Sequence, residues 1–524
     1  MKKLILSVCL TLSVVLLQAQ VTFSSNFEGG SIGAVELLDS ARICVSPGDT
    51  VEHLSYLVNG RFDPDNPVDT TLDASASWLY FRMTGMKGKQ IYLTFQDNGT
   101  HRSMYSYDNV NWSRLPFHEA SRRGIDKRYD CDTMFVALYV PYTYSYLQKR
   151  LGEWSSREGT TLDTIGYSHE HRPLQMLHIS DTSIADSLKA RIWIHGRQHP
   201  AESPGSWFLD GLIDKLTADT PEGQSLRRQI DAYIFPFTNP DGVADGLSRS
   251  NATGVNQEIN FGRSIDSTCV EVRAIKAMFE KLTKERPIDV MINSHSQYAD
   301  YATFWMHKGS STSRDYLRRQ WVLTGLTCSF NEYIKPTDML FSAPAPRYPE
   351  GWFWNNSNGR TLALTIETPY TCFSRNLDGP WATNEILRSL GERTIQAVAE
   401  YLELSTPKRI IIETPENMNL SWFLINSDKN TYMGENGWVA QKKGAKVTYS
   451  LKHLTEGNYK VYRYIPGKNI EPSGRKDNLF DTDPGVHGWV FECEHIQKED
   501  GRFKYVYYAK DKGDFADAIL LIAE

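Results

Sequence analysis

Hydrophobic and polar positions divide the chain into three stretches of different periodicity. From residue 21 to about 150, short apolar runs (78–81, WLYF; 91–95, IYLTF; 134–140, MFVALYV) are separated by Gly, Asn and Asp turns, and a helix begins near Tyr146. This pattern predicts a small antiparallel β-sandwich over residues 21–150. From 151 to 405, strand-like runs (174–179, 190–195, 232–237, 288–293, 360–367) alternate with helical patterns (205–217, 223–230, 270–284, 384–402). That alternation predicts an α/β core with a mixed sheet. Residues 406–524 return to short strands, at 409–413, 421–425, 457–464 and 503–508, with no helical pattern of comparable length. A C-terminal β accessory domain is expected there.

At 524 residues the chain is long enough for several domains. Hydrophobic content of 40% and charged content of 23% are those of a folded protein. A net charge of −6 leaves no basic footprint, so no nucleic-acid partner is expected. The first residues, MKKLILSVCLTLSVVLLQAQ, place Lys2 and Lys3 before an apolar run from Leu4 to Leu17. They read as a signal peptide over residues 1–20, cleaved near Ala19 or Gln20, and predict a secreted or periplasmic protein with no stable membrane insertion. Six cysteines remain beyond Cys9, an even number that permits disulfides, and none shows a C-x-x-C metal spacing.

Candidate chemistry begins at residues 191–216, RIWIHGRQHPAESPGSWFLDGLIDKL. A strand enters a polar turn holding His199 and Glu202, and an amphipathic helix follows, with Ser203 as a candidate N-cap and Pro204 at its start. Imidazole and carboxylate are ligands that suit a catalytic Zn²⁺. The H-x-x-E spacing is common in solvated turns, and His195 offers an alternative ligand one turn earlier. Four features downstream give the pair a context: Asn239-Pro-Asp-Gly242, Arg249, His295 at the end of a strand, and Glu367 within the apolar strand LALTIETP. A buried carboxylate without a partner is expensive, which argues against a purely structural Glu367.

In order and context these segments resemble the zinc carboxypeptidases of the carboxypeptidase A type. The N-terminal β-rich stretch further resembles the cytosolic-carboxypeptidase branch. The resemblance covers about residues 21–400. It implies that His199, Glu202 and His295 ligate zinc, that Glu367 is the general base and acid, and that Arg249 stabilises the oxyanion. A tyrosine usually assists in such sites, and Tyr348 lies in the corresponding interval. The pattern departs at the segment that grips a terminal carboxylate, Gly-Val-Asp-Leu-Asn-Arg in the family and GVNQEINF (254–261) here. Aligned without a gap, Glu258 and Ile259 replace the Asn-Arg pair. With two extra residues, Asn260 is retained as a substrate ligand and Phe261 replaces the arginine; this second register is the preferred expectation. In either register the arginine is missing, and an apolar side chain cannot replace a bidentate guanidinium. The expected function is zinc-dependent hydrolysis of a peptide or amide bond. Two alternatives are a substrate lacking a free C-terminal carboxylate (a glycopeptide, cell-wall peptide or N-acyl compound) and a non-catalytic binding protein on the same scaffold.

Overall fold

The computed structural model describes residues 20–523 apart from 70–71, 73, 97–102, 122–123, 330, 374–379, 405–408, 413–414, 426–436 and 466–488. In the N-terminal region the described strands are β1 (Thr22–Ser24), β2 (Val35–Ser46), β3 (Asp49–Val58), β4 (Tyr80–Thr84), β5 (Gln90–Phe95), β6 (Met104–Ser106), β7 (Ser113–Arg114), β8 (Ala120–Ser121), β9 (Gly124–Arg128) and β10 (Thr133–Ala137). They form two sheets, ordered β1-β4-β10-β6-β7 and β2-β3-β5-β9-β8. Alternation along β5 buries Ile91, Leu93 and Phe95 and exposes Tyr92, and the buried set meets Phe81, Met83 and Met134 of the other sheet. Burying each such side chain stabilises the unit by about 1.5–3 kcal/mol. The sandwich is not wholly antiparallel, as the sequence had suggested. Strands β3 and β5 run parallel, with Leu54 opposite Ile91 and Tyr56 opposite Leu93, because the chain crosses to the other sheet through β4 between them.

The central region holds α1 (Tyr144–Ser155), β11 (Thr160–Tyr167), β12 (Pro173–Ile179), β13 (Ala190–Gly196), α2 (Ser203–Thr217), α3 (Pro221–Gln229), β14 (Ile230–Phe235), α4 (Pro240–Asp245), α5 (Val270–Glu285), β15 (Val290–Gln297), β16 (Thr303–His307), α6 (Arg314–Cys328), β17 (Leu340–Ser342), α7 (Pro349–Ser357), β18 (Leu362–Pro369) and α8 (Asn384–Tyr401). Its eight-stranded sheet is ordered β11-β12-β14-β13-β15-β18-β16-β17, and the middle four, β14-β13-β15-β18, are parallel. The predicted α/β mixed sheet is therefore present. Parallel strands are covered on both faces, which explains their continuous apolar runs. Ile192 and Ile194 face Phe208 and Leu212 of α2, whereas Trp193 faces α5, its ring centroid 5.0 Å from that of Phe279. Helices α2 and α8 meet through glycines. A Cβ on Gly211 would strike the Arg388 carbonyl, and one on Gly391 would strike that of Phe208. Each glycine costs a helix about 1 kcal/mol of propensity, here in exchange for backbone contact.

Strand β18 starts and ends two residues later than the hydrophobic pattern suggested, because Asn358 and Gly359 adopt left-handed conformations and hold the preceding turn. Glu367 lies within β18, and His295 lies within β15 instead of ending its strand. The Asn239 turn opens the short helix α4, and Glu202, not Ser203, occupies the N-cap position of α2. C-terminal strands Arg409–Ile412, Ile519–Ala523, Gly457–Tyr464 and Trp489–Gln497 form one sheet in that order. Tyr462, Tyr464 and Leu520 of this region join the hydrophobic core of the central sheet. Among the described residues no helix is long and apolar enough to cross a membrane, and Cys44, Cys131, Cys269, Cys328 and Cys493 form no disulfide.

Candidate metal centre and active site

The site lies at the C-terminal ends of β13, β15 and β18. Parallel strands leave a crevice there, and loops after each strand fill it. After β13 the chain reverses through Arg197, whose φ of 60° is costly for a non-glycine residue. Its guanidinium anchors the strained turn, donating to the Pro200 carbonyl at 2.8 Å and to Ser206 Oγ at 2.7 Å. This turn carries Gln198, His199 and Glu202 into the crevice. Asn239 locks it from the side. Asn239 Oδ1 caps α4 by accepting from the Gly242 N–H at 3.0 Å, and Nδ2 donates to the carbonyls of Gln198 and Ser250 at 3.1 and 3.0 Å.

His199, Glu202 and His295 are buried, and ligand-type atoms of all three lie within 4.8 Å of one another. Nδ1 of His199 and Nδ1 of His295 each lie 2.8 Å from a Glu202 carboxylate oxygen. The other ring nitrogens face amide oxygens: His199 Nε2 is 3.2 Å from Asn256 Oδ1, and His295 Nε2 is 3.0 Å from Gln198 Oε1. Carboxylate and amide oxygens only accept, so when a cation takes the two Nδ1 lone pairs the ring protons lie on Nε2, where the amide oxygens of Asn256 and Gln198 receive them. Outer partners of this kind fix the tautomer and orientation of metal-binding histidines. Electrostatics point the same way. Burial raises the Glu202 carboxyl, but the two imidazoles outweigh burial and hold it well below the usual carboxylate range. Burial depresses His295, yet Glu202 outweighs it and lifts the imidazole to about 10. The cup therefore demands positive charge, and a divalent cation takes the place of those protons when it binds. These residues fit a zinc ion.

Glu367 sits directly opposite His295 in the parallel ladder between β15 and β18. Its Oε2 is buried without a hydrogen-bond partner. Burial, helped by Glu202 and Glu258, pushes this carboxyl up to about 8; a cation in the cup opposes that rise. His199 and Glu202 of the cup, with Arg249, Glu258, Tyr298, Glu367 and Tyr370, line an open cleft of about 630 Å³. The Arg249 side chain is half exposed and reaches Glu258 Oε2 at 3.3 Å.

Two sequence-derived substrate ligands lie elsewhere. Asn260 is buried, and its Nδ2 donates to the Asn256 carbonyl at 2.5 Å; Phe261 packs into the core with Phe279. The ungapped register is the one that reaches the cleft, with Asn256 on His199 and Glu258 on the wall. Periodicity within eight residues could not separate the two registers; the contact of Asn256 with His199, far away in sequence, does. Tyr348 caps the start of α7 outside the cleft, with the Arg347 guanidinium 5.0 Å from its ring centroid. The tyrosines of the cleft are Tyr298 and Tyr370, stacked at 5.0 Å and each three residues beyond an acid–base or ligand position. That offset after His295 and Glu367 was the available signal. His195 points away from the cup, its Nδ1 accepting from Trp193 Nε1 at 3.0 Å.

This geometry places a candidate metal centre at the edge of an α/β sheet. The zinc carboxypeptidase profile matches residues 144–477, so the chain belongs to the zinc carboxypeptidase family. The match extends past residue 405 into the C-terminal β region. Human cytosolic carboxypeptidase 2 is 26% identical over 231 residues, 43% of this chain and 25% of its own length. Mouse cytosolic carboxypeptidase 6 is 23% identical over 446 residues, 77% of this chain and 78% of its own length. The chain thus spans about a quarter of the first cytosolic carboxypeptidase 2 relatives and most of the second protein. A metallo-carboxypeptidase from Burkholderia cenocepacia shares the fold, with a TM-score of 0.60, 22% identity, and coverage of 73% of this chain and 99% of that one.

These relatives correct the expectation of export. Curated relatives that match, among them human cytosolic carboxypeptidase 2 and mouse cytosolic carboxypeptidase 6, are cytosolic by name, which contradicts the expectation of a secreted or periplasmic protein. An apolar run of the length of residues 4–17 is shared by buried helices and export signals, so its hydropathy alone does not discriminate. Residues 1–19 lie outside the described residues.

Proposed function

We propose that the chain hydrolyses peptide bonds near the end of a peptide substrate, with His199, Glu202 and His295 holding the zinc. The observation that carries this reading is the buried three-residue cup facing the orphaned Glu367 oxygen in one cleft. A bound zinc ion would supply Lewis acidity and lower the pKa of water at the site. Glu367 would accept the proton from the attacking water and deliver it to the departing amine, the two halves of general base–acid catalysis. Arg249 would donate to the carbonyl oxygen as negative charge builds there, an interaction worth about 3–4 kcal/mol in comparable sites. Gln198 and Asn256 would keep both imidazoles in the ligating tautomer. Arg249 is the cation among the described residues lining the cleft, so a terminal carboxylate would have to find it beside Glu258. Arg263, whose NH2 donates to the Val68 carbonyl at 3.3 Å, does not line the cleft.

The test is a mixed peptide library incubated with zinc-loaded protein and read by mass spectrometry, beside a chelated sample and a Glu367→Gln control. Single residues should be lost from free C-termini in the first sample only. Equal cleavage after chelation would overturn the reading.

A further inference from the structure

Arg249 stands on a segment, residues 247–250, that belongs to no helix or strand. Its backbone N–H groups must find partners elsewhere, because a buried amide without one is costly. One carboxylate supplies them. Asp63 Oδ1 accepts from the Ser248 N–H at 2.7 Å, and Oδ2 accepts from those of Arg249 and Ser250 at 2.7 and 2.9 Å. Asp63 comes from the N-terminal β region, 185 residues from Ser248, and is only 6% exposed. Its own N–H donates to the Ser75 carbonyl at 2.8 Å, which holds the carboxylate in place. Two neighbours reinforce the clamp: the Trp78 N–H donates to Ser248 Oγ at 3.0 Å, and the Arg61 guanidinium donates to the carbonyls of Gly246, at 2.9 Å, and Asp245. Ser77, between these residues, lines the cleft itself. By contrast, the Arg249 side chain is half exposed, with Glu258 at 3.3 Å as its ion-pair partner. A flexible side chain with so exposed a tether takes its position from its backbone.

We propose that Asp63 is a positioning residue for Arg249, so that the N-terminal β region completes the active site instead of accompanying it. This rests on the role given to Arg249 under the proposed function. Charge-assisted bonds from one carboxylate to three successive N–H groups are stronger than neutral ones. They fix where the guanidinium can reach without touching the substrate.

The experiment is a double-mutant cycle on the full-length, zinc-loaded chain with a peptide substrate. Asp63→Asn keeps the shape but turns one acceptor into a donor facing the same amides. It should lower kcat by about ten- to a hundredfold, with KM changed less than threefold and zinc content unchanged, because a misplaced oxyanion donor is missed only in the transition state. On an Arg249→Ala background the same change should cost less than about threefold, since coupled residues are not additive. An equal loss on both backgrounds would overturn the proposal, because a merely structural defect is additive. Hydrogen-exchange mass spectrometry gives a readout independent of turnover. Peptides covering residues 247–250 should exchange faster in Asp63→Asn, while those covering β15 and β18 stay protected; unchanged exchange at 247–250 would sink the clamp. If Arg249→Ala alone leaves kcat intact, the role of Arg249 fails, and the exchange data separate that failure from loss of the clamp. Should Asp63→Asn not fold, Asp63→Glu, which keeps the charge and displaces it by one methylene, carries the same cycle.

Discussion

Helix α2 carries two assemblies of buried charge, about 12 Å apart along its axis, and they are built on opposite principles. At its N-terminus, Glu202 meets two imidazoles. On its body, Asp210 and Asp214 meet guanidinium groups. Asp210 accepts from Tyr142 Oη at 2.8 Å and Arg150 Nε at 2.9 Å and pairs with Arg388; Asp214 accepts from Arg157 and Trp154 Nε1, both at 2.8 Å, and from Arg150 at 2.7 Å. This network closes on itself, so every carboxylate is matched. Around Glu202 the lone pairs converge on a common point, and the neighbouring Glu367 has an oxygen with nothing to accept from. Closed charge is structural; charge left open, at a cost in stability, is functional.

The sharpest way to break this contrast is Glu367→Gln. It should cost about a thousandfold or more in kcat while leaving Tm unchanged or higher, since it replaces a buried carboxyl that has an unpartnered oxygen by a neutral group of the same shape. Peptide turnover and thermal unfolding check both halves, and a large fall in Tm would place Glu367 with the structural network. Asp210→Asn should do the reverse. With Arg150 and Arg388 left short of charge, stability falls by about 3–5 kcal/mol, whereas kcat per folded molecule stays within about twofold. Chemical denaturation beside active-site titration measures this. The smallest effect sharpens the comparison with a buried group outside both assemblies. Burial lowers the His307 imidazole from its ordinary 6.5 to about 4. Between those values the unfolded chain binds a proton that the folded chain refuses, so stability falls as pH drops from 6.5 to 4 and the loss levels off below 4. His307→Gln should flatten Tm across that window; an unaltered slope would assign the loss to other groups.

Much of this architecture could be read from the chain itself. The apolar runs at 190–195 and 288–293 mark central parallel strands because such strands are buried on both faces. The order His199, Glu202, Arg249, His295, Glu367 carries the site. What could not be read depends on contacts distant in sequence. Helix α6 opens Arg-Asp-Tyr-Leu-Arg-Arg, with little apolar periodicity to mark it, and α7 contains Gly351 and two asparagines, residues of low helix propensity. Asn260 looked right in a local alignment, yet packing against Phe279 decides that Phe261 goes inward and Glu258 outward. Tyr348 failed for the same reason: distance along the chain is not distance in the cleft. Asp63 carries no signal at all in its own segment, because its partners are almost two hundred residues away.

His295 and Glu367 face each other across two hydrogen-bonded parallel strands, so the spacing between the proposed metal ligand and the proposed base is inherited from the sheet itself, about 4.8 Å per strand, one of the least elastic lengths in a protein. Glu258, by contrast, lines the cleft from a short loop outside the sheet. For engineering, the molecule separates into a ruler and an exchangeable jaw: substitutions around Glu258 that keep Asn256 and Phe261 would redirect what is cut while the ruler leaves how it is cut untouched.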